Sequence, residues 1–340
     1  MKLTKIVCEK KQIPLQTPFV TALRRVENVE FVRVSLYTQE FVGIGEAPAT
    51  KAITGEDIES IMNSVKMMQS ILLGLKIEDA LTQVQCTDIG SSAKAALDMA
   101  LITLLAQQRG QSLAEFFSLE ESTPIFTDIT ISFNDTETML KDAQKALEKK
   151  HHILKVKVAG DIQHAIKSIR QISSGANGAE ILVDANQAWS LDDTLYFIDK
   201  TKDIELSLIE QPVPAKDTDS LKSITNYSNV AILADEAVFT LEDAQKIIES
   251  KSADMINIKL MKCGGVTPAI EMLKYAREKG VMCMLGSMLE GPYSINIALY
   301  LAMAFRDVVK FVDLDSPLLY KELPEELDFI YEGCKISLKK

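Results

Sequence analysis

The sequence predicts an α+β N-terminal domain followed by a barrel of eight parallel strands alternating with helices. Three observations predict it. From residue 125 onward, β-type apolar runs alternate with helical ones, which is the pattern of a parallel sheet. Eight such runs occur, at 125–132, 153–158, 181–184, 206–210, 231–235, 255–259, 281–286 and 310–314. Eight parallel strands close as a barrel, where a doubly wound sheet usually stops sooner. Finally, six of these runs end on charged residues: Lys157, Asp184, Glu210, Asp235, Lys259 and Asp313. The intervals between them are 27, 26, 25, 24 and 54 residues, which suit single strand–helix–strand steps and then a double one.

The elements follow in order. Residues 1 to 55 read as strands, KIVCEKKQIPL and VEFVRVSLYTQEFVGIGEA, with the loop TPFVTALRRVEN between them. The stretch 58–108 is helical, because apolar residues recur at three and four in IMNSVKMMQSILLGL and again in SAKAALDMALITLLAQQ. Strands followed by helices, without alternation, indicate an α+β unit. The pattern changes near 122–124. Beyond it, IFTDITIS and its successors alternate with helical segments such as TETMLKDAQKALEK, IQHAIKSIRQIS and VTPAIEMLKYAREKG. The predicted units are 1–120, 121–315 and a C-terminal segment 316–340, whose strand-like FIYEGCKISL is expected to return to the first unit.

Composition excludes several functions. The 340-residue chain is 47% apolar and 25% charged, ordinary for a globular protein with a large core. Its net charge is −11 and it has no block of Lys and Arg with interleaved aromatics, so a nucleic acid is not an expected partner. The N-terminus alternates like a strand and lacks the apolar core of a signal peptide, and no run is long enough to span a membrane. The five cysteines are odd in number and lack metal-type spacing, which reads as free, mostly buried thiols in a reducing cytoplasm.

In a parallel barrel the C-terminal ends of all strands meet at one mouth. Asp184, Glu210 and Asp235 end consecutive runs, so their carboxylates can converge there. A set of hard oxygens without His or Cys selects Mg²⁺ or Mn²⁺ over zinc. Asn186, two residues past Asp184, is a candidate supporting donor. Lys155 and Lys157 alternate with Leu154, Val156 and Val158, so both are expected to point into the mouth. Burial disfavours a lysine's charged form, so lysines ending apolar strands need a purpose. Lys259 ends a run four steps on, across the barrel from Lys157. Two amines on opposite faces of a carbon acid are what a two-base 1,1-proton transfer requires. His151 and His152 precede their strand and fall at the wrong end of the barrel, where they read as surface residues.

These pieces together resemble the enolase superfamily, in its muconate lactonizing subgroup, along essentially the whole chain. The resemblance is carried by Lys155-Val156-Lys157, Asp184-Ala185-Asn186, Glu210-Gln211-Pro212, Asp235-Glu236 and the run from Lys259 through Lys262 to Gly265. The usual Asp-Glu-Ser reads Asp235-Glu236-Ala237 here, which leaves the ligand intact. The resemblance implies a modified (β/α)8 TIM barrel of (β/α)7β type beneath an α+β capping domain. In that domain, segments 14–25 and 47–54 would close over the substrate. It implies Lys157 and Lys259 as acid/base catalysts, Lys155 as their assistant, and Asp184, Glu210 and Asp235 as Mg²⁺ ligands, with Asn186 and Glu236 behind them.

Asp313-Leu314-Asp315 ends the eighth run with both acids on one face, a seat for an ammonium group. It is similar to the Asp-x-Asp feature of dipeptide epimerases, which hold a dipeptide's free N-terminus. Arg24 matches the lid arginine that L-Ala-D/L-Glu epimerases use for the glutamate side chain, with Arg25 beside it as the alternative. Leu289 and Glu290 would shape the side-chain pocket. The implied function is a cytoplasmic isomerase that converts L-Ala-L-Glu, a product of peptidoglycan turnover, to L-Ala-D-Glu through a metal-stabilised ene-diolate. The alternatives are an epimerase for a non-acidic dipeptide, a cycloisomerase, an o-succinylbenzoate synthase-type enzyme, an N-acylamino acid racemase and a catalytically silent binding protein. The substrates of the middle three lack the ammonium group that Asp313 and Asp315 would hold. A small dipeptide is the expected partner, and a homo-oligomer is compatible with the sequence.

Overall fold

The computed structural model describes residues 1–20, 25–119, 123–176 and 178–339. It begins with an antiparallel meander of β1 (Lys5–Val20), β2 (Arg25–Tyr37) and β3 (Val42–Pro48). Of the loop expected over 17–28, the described residues instead continue the ribbon: after a bulge between Pro14 and Phe19, Phe19 pairs with Val26 and Val20 with Arg25. Alternation divides β2 between two cores. Val32, Val34 and Leu36 join the main core, while Val29 and Phe31 pack with Leu15, Leu289 and Tyr320, bringing the ribbon onto the rest of the chain.

Helices α1 (Lys51–Thr54), α2 (Ile58–Leu72), α3 (Ile77–Cys86), α4 (Ser91–Gln108) and α5 (Leu113–Phe116) follow. Helix α2 starts at a capping box, in which Asp57 and Ser60 satisfy each other's backbone N–H groups. Helix α4 is buried nearly all round, since it lies between the meander and the barrel. Its close approach to β3 requires Gly43 and Gly45, where a Cβ would collide with the carbonyls of Ala100 and Ala96.

Past β4 (Ile125–Phe126), the barrel strands are β5 (Ile129–Ile131), β6 (Ile153–Lys157), β7 (Glu180–Asp184), β8 (Leu208–Glu210), β9 (Ala231–Ala234), β10 (Met255–Lys259), β11 (Met282–Gly286) and β12 (Val309–Asp313). They run parallel in sequence order. Between them lie α6 (Thr136–Glu148), α7 (Ile162–Gly175), α8 (Leu191–Thr201), α9 (Thr218–Tyr227), α10 (Leu241–Ser250), the short α11 (Leu260–Cys263) with α12 (Val266–Lys279), and α13 (Pro292–Ala304). Among the described residues a 3₁₀ turn, Ser316–Leu319, and no further helix follows β12, so the architecture is (β/α)7β. Leu182, Leu208, Leu233, Met255, Met284 and Phe311 fill the barrel floor. Two residues on, along the same faces, stand Asp184, Glu210, Asp235, Asn257 and Asp313. The period of two therefore puts an apolar layer under a polar one.

The run predicted at 125–132 splits in two. Strand β4 leaves the barrel to pair with β14 (Lys335–Leu338), which forms a hairpin with β13 (Phe329–Glu332), while β5 stays in the barrel. At the break, the Asp128 N–H donates to the Val312 carbonyl (3.0 Å) and the Leu314 N–H to Thr127 Oγ1 (2.9 Å), stitching the first barrel strand to the last. The C-terminal segment touches the meander through the Lys321 N–H and the Pro14 carbonyl, 2.8 Å apart, but its strand-like FIYEGCKISL pairs with β4. His151 is buried, not a surface residue, and Cys283 and Cys334 are the buried thiols among five free ones.

Asp98, fully buried on α4, accepts the N–H groups of Val266 (2.7 Å) and Thr267 (3.1 Å) at the start of α12. It thereby caps a barrel helix whose own N-cap, Gly265, has no side chain to offer. Replacing Asp98 with Ala should cost about 2–3 kcal/mol, since two buried donors lose their acceptor. Urea unfolding with an unchanged midpoint would refute this.

Candidate active site

One cavity lies between the two units, at the C-terminal end of the barrel. Phe19, Ala52 and Ile53 from the first unit roof it, and Lys157, Lys259, Asp235, Asn186, Glu236, Leu289, Asp313 and Asp315 are among its barrel walls. Arg24 lies outside the described residues. Arg25 is exposed, 3.9 Å from Glu27, and is not part of the lining. Glu290 does not line the cavity either. It is buried as a brace, accepting the Met288 N–H at 2.8 Å and the Ser294 hydroxyl.

The charges interlock. Lys157 Nζ lies 2.5 Å from Asp184 Oδ2, and Lys259 Nζ lies 2.8 Å from Asp235 Oδ2. Each lysine at the wall is thus partnered by a different acid. Lys155, expected to share the mouth with Lys157, is instead wholly buried one layer below. Its ammonium lies 2.7 Å from both Glu210 Oε2 and Asp313 Oδ2, and 3.3 Å from Asp184 Oδ2. Burial works against that charge, but Asp313, Glu210 and Asp184 outweigh it and hold the Lys155 pKa well above the usual lysine range. Lys155 is therefore a fixed positive charge at neutral pH. Lys259 is likewise raised: burial opposes its charge and Asp235 prevails.

Asp235 is the most strongly held acid. Besides Lys259, the buried Lys262 donates to its Oδ1 and to its carbonyl, each at 2.5 Å. Burial would raise its pKa, yet Lys259 and Lys262 bring it far below the carboxylate range. Asp184 is also lowered, Lys157 and Lys155 overcoming burial. Glu210, in contrast, is pushed up to about 7 by burial and by the neighbouring Asp184, and Glu236 to about 8 by burial and Asp235.

The predicted carboxylates occupy adjacent strand ends, with Asp184 opposite Glu210 in the β7–β8 register. Each is drawn toward its own ammonium. Among the described residues, the three acids that each offer an oxygen within 4.8 Å of the others are instead Asp128, Asp313 and Asp315. Around the predicted set, Asn186 Oδ1, Glu236 Oε2 and Asn257 Oδ1 are buried acceptors without a hydrogen-bond partner. An all-oxygen donor set with spare buried acceptors fits a hard divalent cation. The backbone is strained where this set is built: Asn186, Gln187 and Gln211 are non-glycine residues with φ of +43°, +68° and +37°.

Several contributors had weak signals in the sequence. Asn257 donates to Glu210 Oε1 at 2.8 Å, and only its alternation with Lys259 in MINIK marked its face. Gln211 Oε1 accepts the N–H groups of Asp235 (2.9 Å) and Ala237 (3.0 Å), fixing the turn that presents Asp235. Asp128 was visible only as an acid inside an apolar run.

Two family descriptions match the chain: "Mandelate racemase / muconate lactonizing enzyme, N-terminal domain" over residues 3–117 and "Enolase C-terminal domain-like" over 138–337. The chain is 55% identical to the L-amino acid-D/L-Glu epimerase of Sulfurimonas denitrificans, over 99% of each chain. It superposes on the substrate-liganded L-Ala-D/L-Glu epimerase of Bacillus subtilis with a TM-score of 0.94, at 36% identity, covering 100% of this chain and 97% of that one. The dipeptide epimerase of Enterococcus faecalis, solved with Mg and L-Leu-L-Tyr, gives a TM-score of 0.91 at 28% identity, covering 100% and 98%.

Proposed function

The chain belongs to the mandelate racemase/muconate lactonizing enzyme family of the enolase superfamily, and from that premise we propose that it epimerises the C-terminal residue of a dipeptide, L-Ala-L-Glu foremost. The observation that carries this reading is the pair Lys157 and Lys259, both at the cavity wall and each held by a separate carboxylate. One lysine takes the α-proton and the other returns a proton to the opposite face. Asp184 and Asp235 hold the two amines in place while neither side chain can swing into solvent.

The cofactor is Mg²⁺, and Asp184, Glu210 and Asp235 are the residues that would hold it. When bound, it supplies Lewis-acid stabilisation of the negative charge that grows on the substrate carboxylate. Lys155, charged and immobile, keeps Glu210 and Asp184 oriented. Asp313 and Asp315 take the substrate's ammonium group by charge-assisted hydrogen bonds. Arg24 is the residue assigned to the side-chain carboxylate of glutamate, with Arg25, exposed and outside the cavity lining, as the alternative. The working site is the cytoplasm, on a free dipeptide, without nucleic acid or membrane as partner. No helix among the described residues is long and apolar enough to cross a membrane.

A second reading has its own support. Phe19, Ile53, Met288 and Leu289 make part of the lining apolar, which suits a dipeptide with a non-acidic C-terminal residue. The deciding experiment is incubation with L-Ala-L-Glu and Mg²⁺ in D₂O, following the glutamate α-proton by NMR. Loss of that signal together with appearance of the L,D diastereomer is the expected result. Absence of exchange with this dipeptide, but exchange within a dipeptide library, would move the assignment to the second reading. Silence across the library would sink both.

A further inference from the structure

We propose that Asp128 is a positioning residue of the ammonium seat, completing it from behind and setting how strictly the site demands a free amine; this rests on the dipeptide reading above. Asp128 stands at the break between β4 and β5, where its backbone N–H closes the barrel onto Val312. Its side chain is not used in that stitch. The residue is 1% exposed, and neither carboxylate oxygen has a hydrogen-bond partner. Its two neighbours are provided for: Asp313 is paired with Lys155 at 2.7 Å, and Asp315 accepts the Thr130 N–H at 2.7 Å.

A buried carboxylate without a donor is costly, and an ammonium reaching the cluster would offset that cost. Of the three clustered acids only Asp313 pairs with an ammonium, that of Lys155, which Glu210 and Asp184 also claim. The crowding raises Asp128 well above the usual carboxylate range, through burial first and Asp313 next, so the cluster lacks positive charge. Asp313 and Asp315 open onto the cavity beside Lys157 and Lys259, while Asp128 does not. A cation arriving from the substrate side therefore touches Asp313 and Asp315 and feels Asp128 through them. The Lys155 ammonium already at Asp313 opposes a second metal ion more strongly than it opposes a monovalent group that brings its own N–H donors.

The test compares the whole protein with Asp128→Asn, using L-Ala-L-Glu and N-acetyl-L-Ala-L-Glu. The variant should raise KM for the free dipeptide about tenfold or more, with a smaller fall in kcat, because an ammonium seated on Asp313 and Asp315 favours the ionised form of Asp128, and a charge at this range is worth at least that in a buried site. The preference for the free amine over its acetylated form should shrink by a similar factor. A purely structural role would not move that preference. If KM and the preference stay at wild-type values, or if the loss falls on kcat alone, Asp128 is only a stitch in the barrel seam and the inference is overturned. Two Mg²⁺ ions per chain in a calorimetric titration would overturn it as well, by giving the acids to a metal. A wild type that neither binds nor epimerises any dipeptide defeats the functional reading itself, and this inference with it. Should Asp128→Asn not fold, Asp128→Ser is read in the same way.

Discussion

Replacement of Lys157 by alanine is expected to abolish epimerisation, with kcat falling by about 10³-fold or more, while leaving one half of the proton chemistry intact. A two-base site fails asymmetrically. Without Lys157, Lys259 can still remove and return the α-proton on its own face. One diastereomer of the dipeptide should then exchange its α-proton in D₂O without inverting, and the other should be inert. Lys259→Ala should give the mirror result, exchange of the opposite diastereomer alone. Both lysines lie at the cavity wall, and their partners Asp184 and Asp235 keep a second ammonium each, Lys155 and Lys262. Neither substitution therefore strands a buried acid, and the variants should fold. Lys155→Ala would be different, since it removes the charge facing Glu210, Asp313 and Asp184 together. If the two wall-lysine variants lose exchange of the same diastereomer, the lysines do not serve opposite faces and the two-base mechanism is wrong.

Much of this site could be read from the chain because a barrel converts spacing into position. A charged residue that ends an apolar run must lie at the mouth, so Lys157, Asp184, Glu210, Asp235, Lys259 and Asp313 were legible without any contact being known. Depth along a strand was harder to read. Lys155 and Lys157 share a face, yet their separation of two residues puts one amine at the cavity and the other among three carboxylates beneath it. What was missed depends on contacts distant in sequence. Asn257 matters because it reaches Glu210 on another strand, and Gln211 because it braces the backbone at Asp235. Asp128 was hidden for another reason. The run 125–132 reads as one strand, and only the pairing of Ile125–Phe126 with the C-terminal hairpin breaks it at that residue. The ribbon at Phe19–Val26 extends β1 and β2 past a polar stretch that reads locally as a loop, because cross-strand pairing outweighs local propensity.

The other large effect belongs to Asp235→Asn, which should cost activity and stability by separable routes. The carboxylate neutralises two buried ammonium groups, Lys259 at 2.8 Å and Lys262 at 2.5 Å. Removing its charge while keeping its shape leaves both amines with too little counter-charge in a site that water barely enters. Breaking a buried pair from one side costs about 3–5 kcal/mol, and the retained amide oxygen brings the expected loss in the metal-free protein to about 3 kcal/mol. Urea unfolding in a chelator measures this directly. Mg²⁺ affinity and epimerisation should be lost in the same variant, but that loss alone would not tell a missing ligand from a loosened fold. The second substitution Lys262→Met separates the two. It removes the stranded ammonium that does not line the cavity and fills its volume with an apolar chain, so stability should largely return. Calorimetric Mg²⁺ binding and turnover should stay absent, because the carboxylate is still missing. If the double variant regains Mg²⁺ binding along with stability, Asp235 acts only through the lysines it holds, and the metal assignment must move to other acids of the ring. If Asp235→Asn is as stable as the wild type, the buried ion pairs carry far less of the fold than their geometry implies.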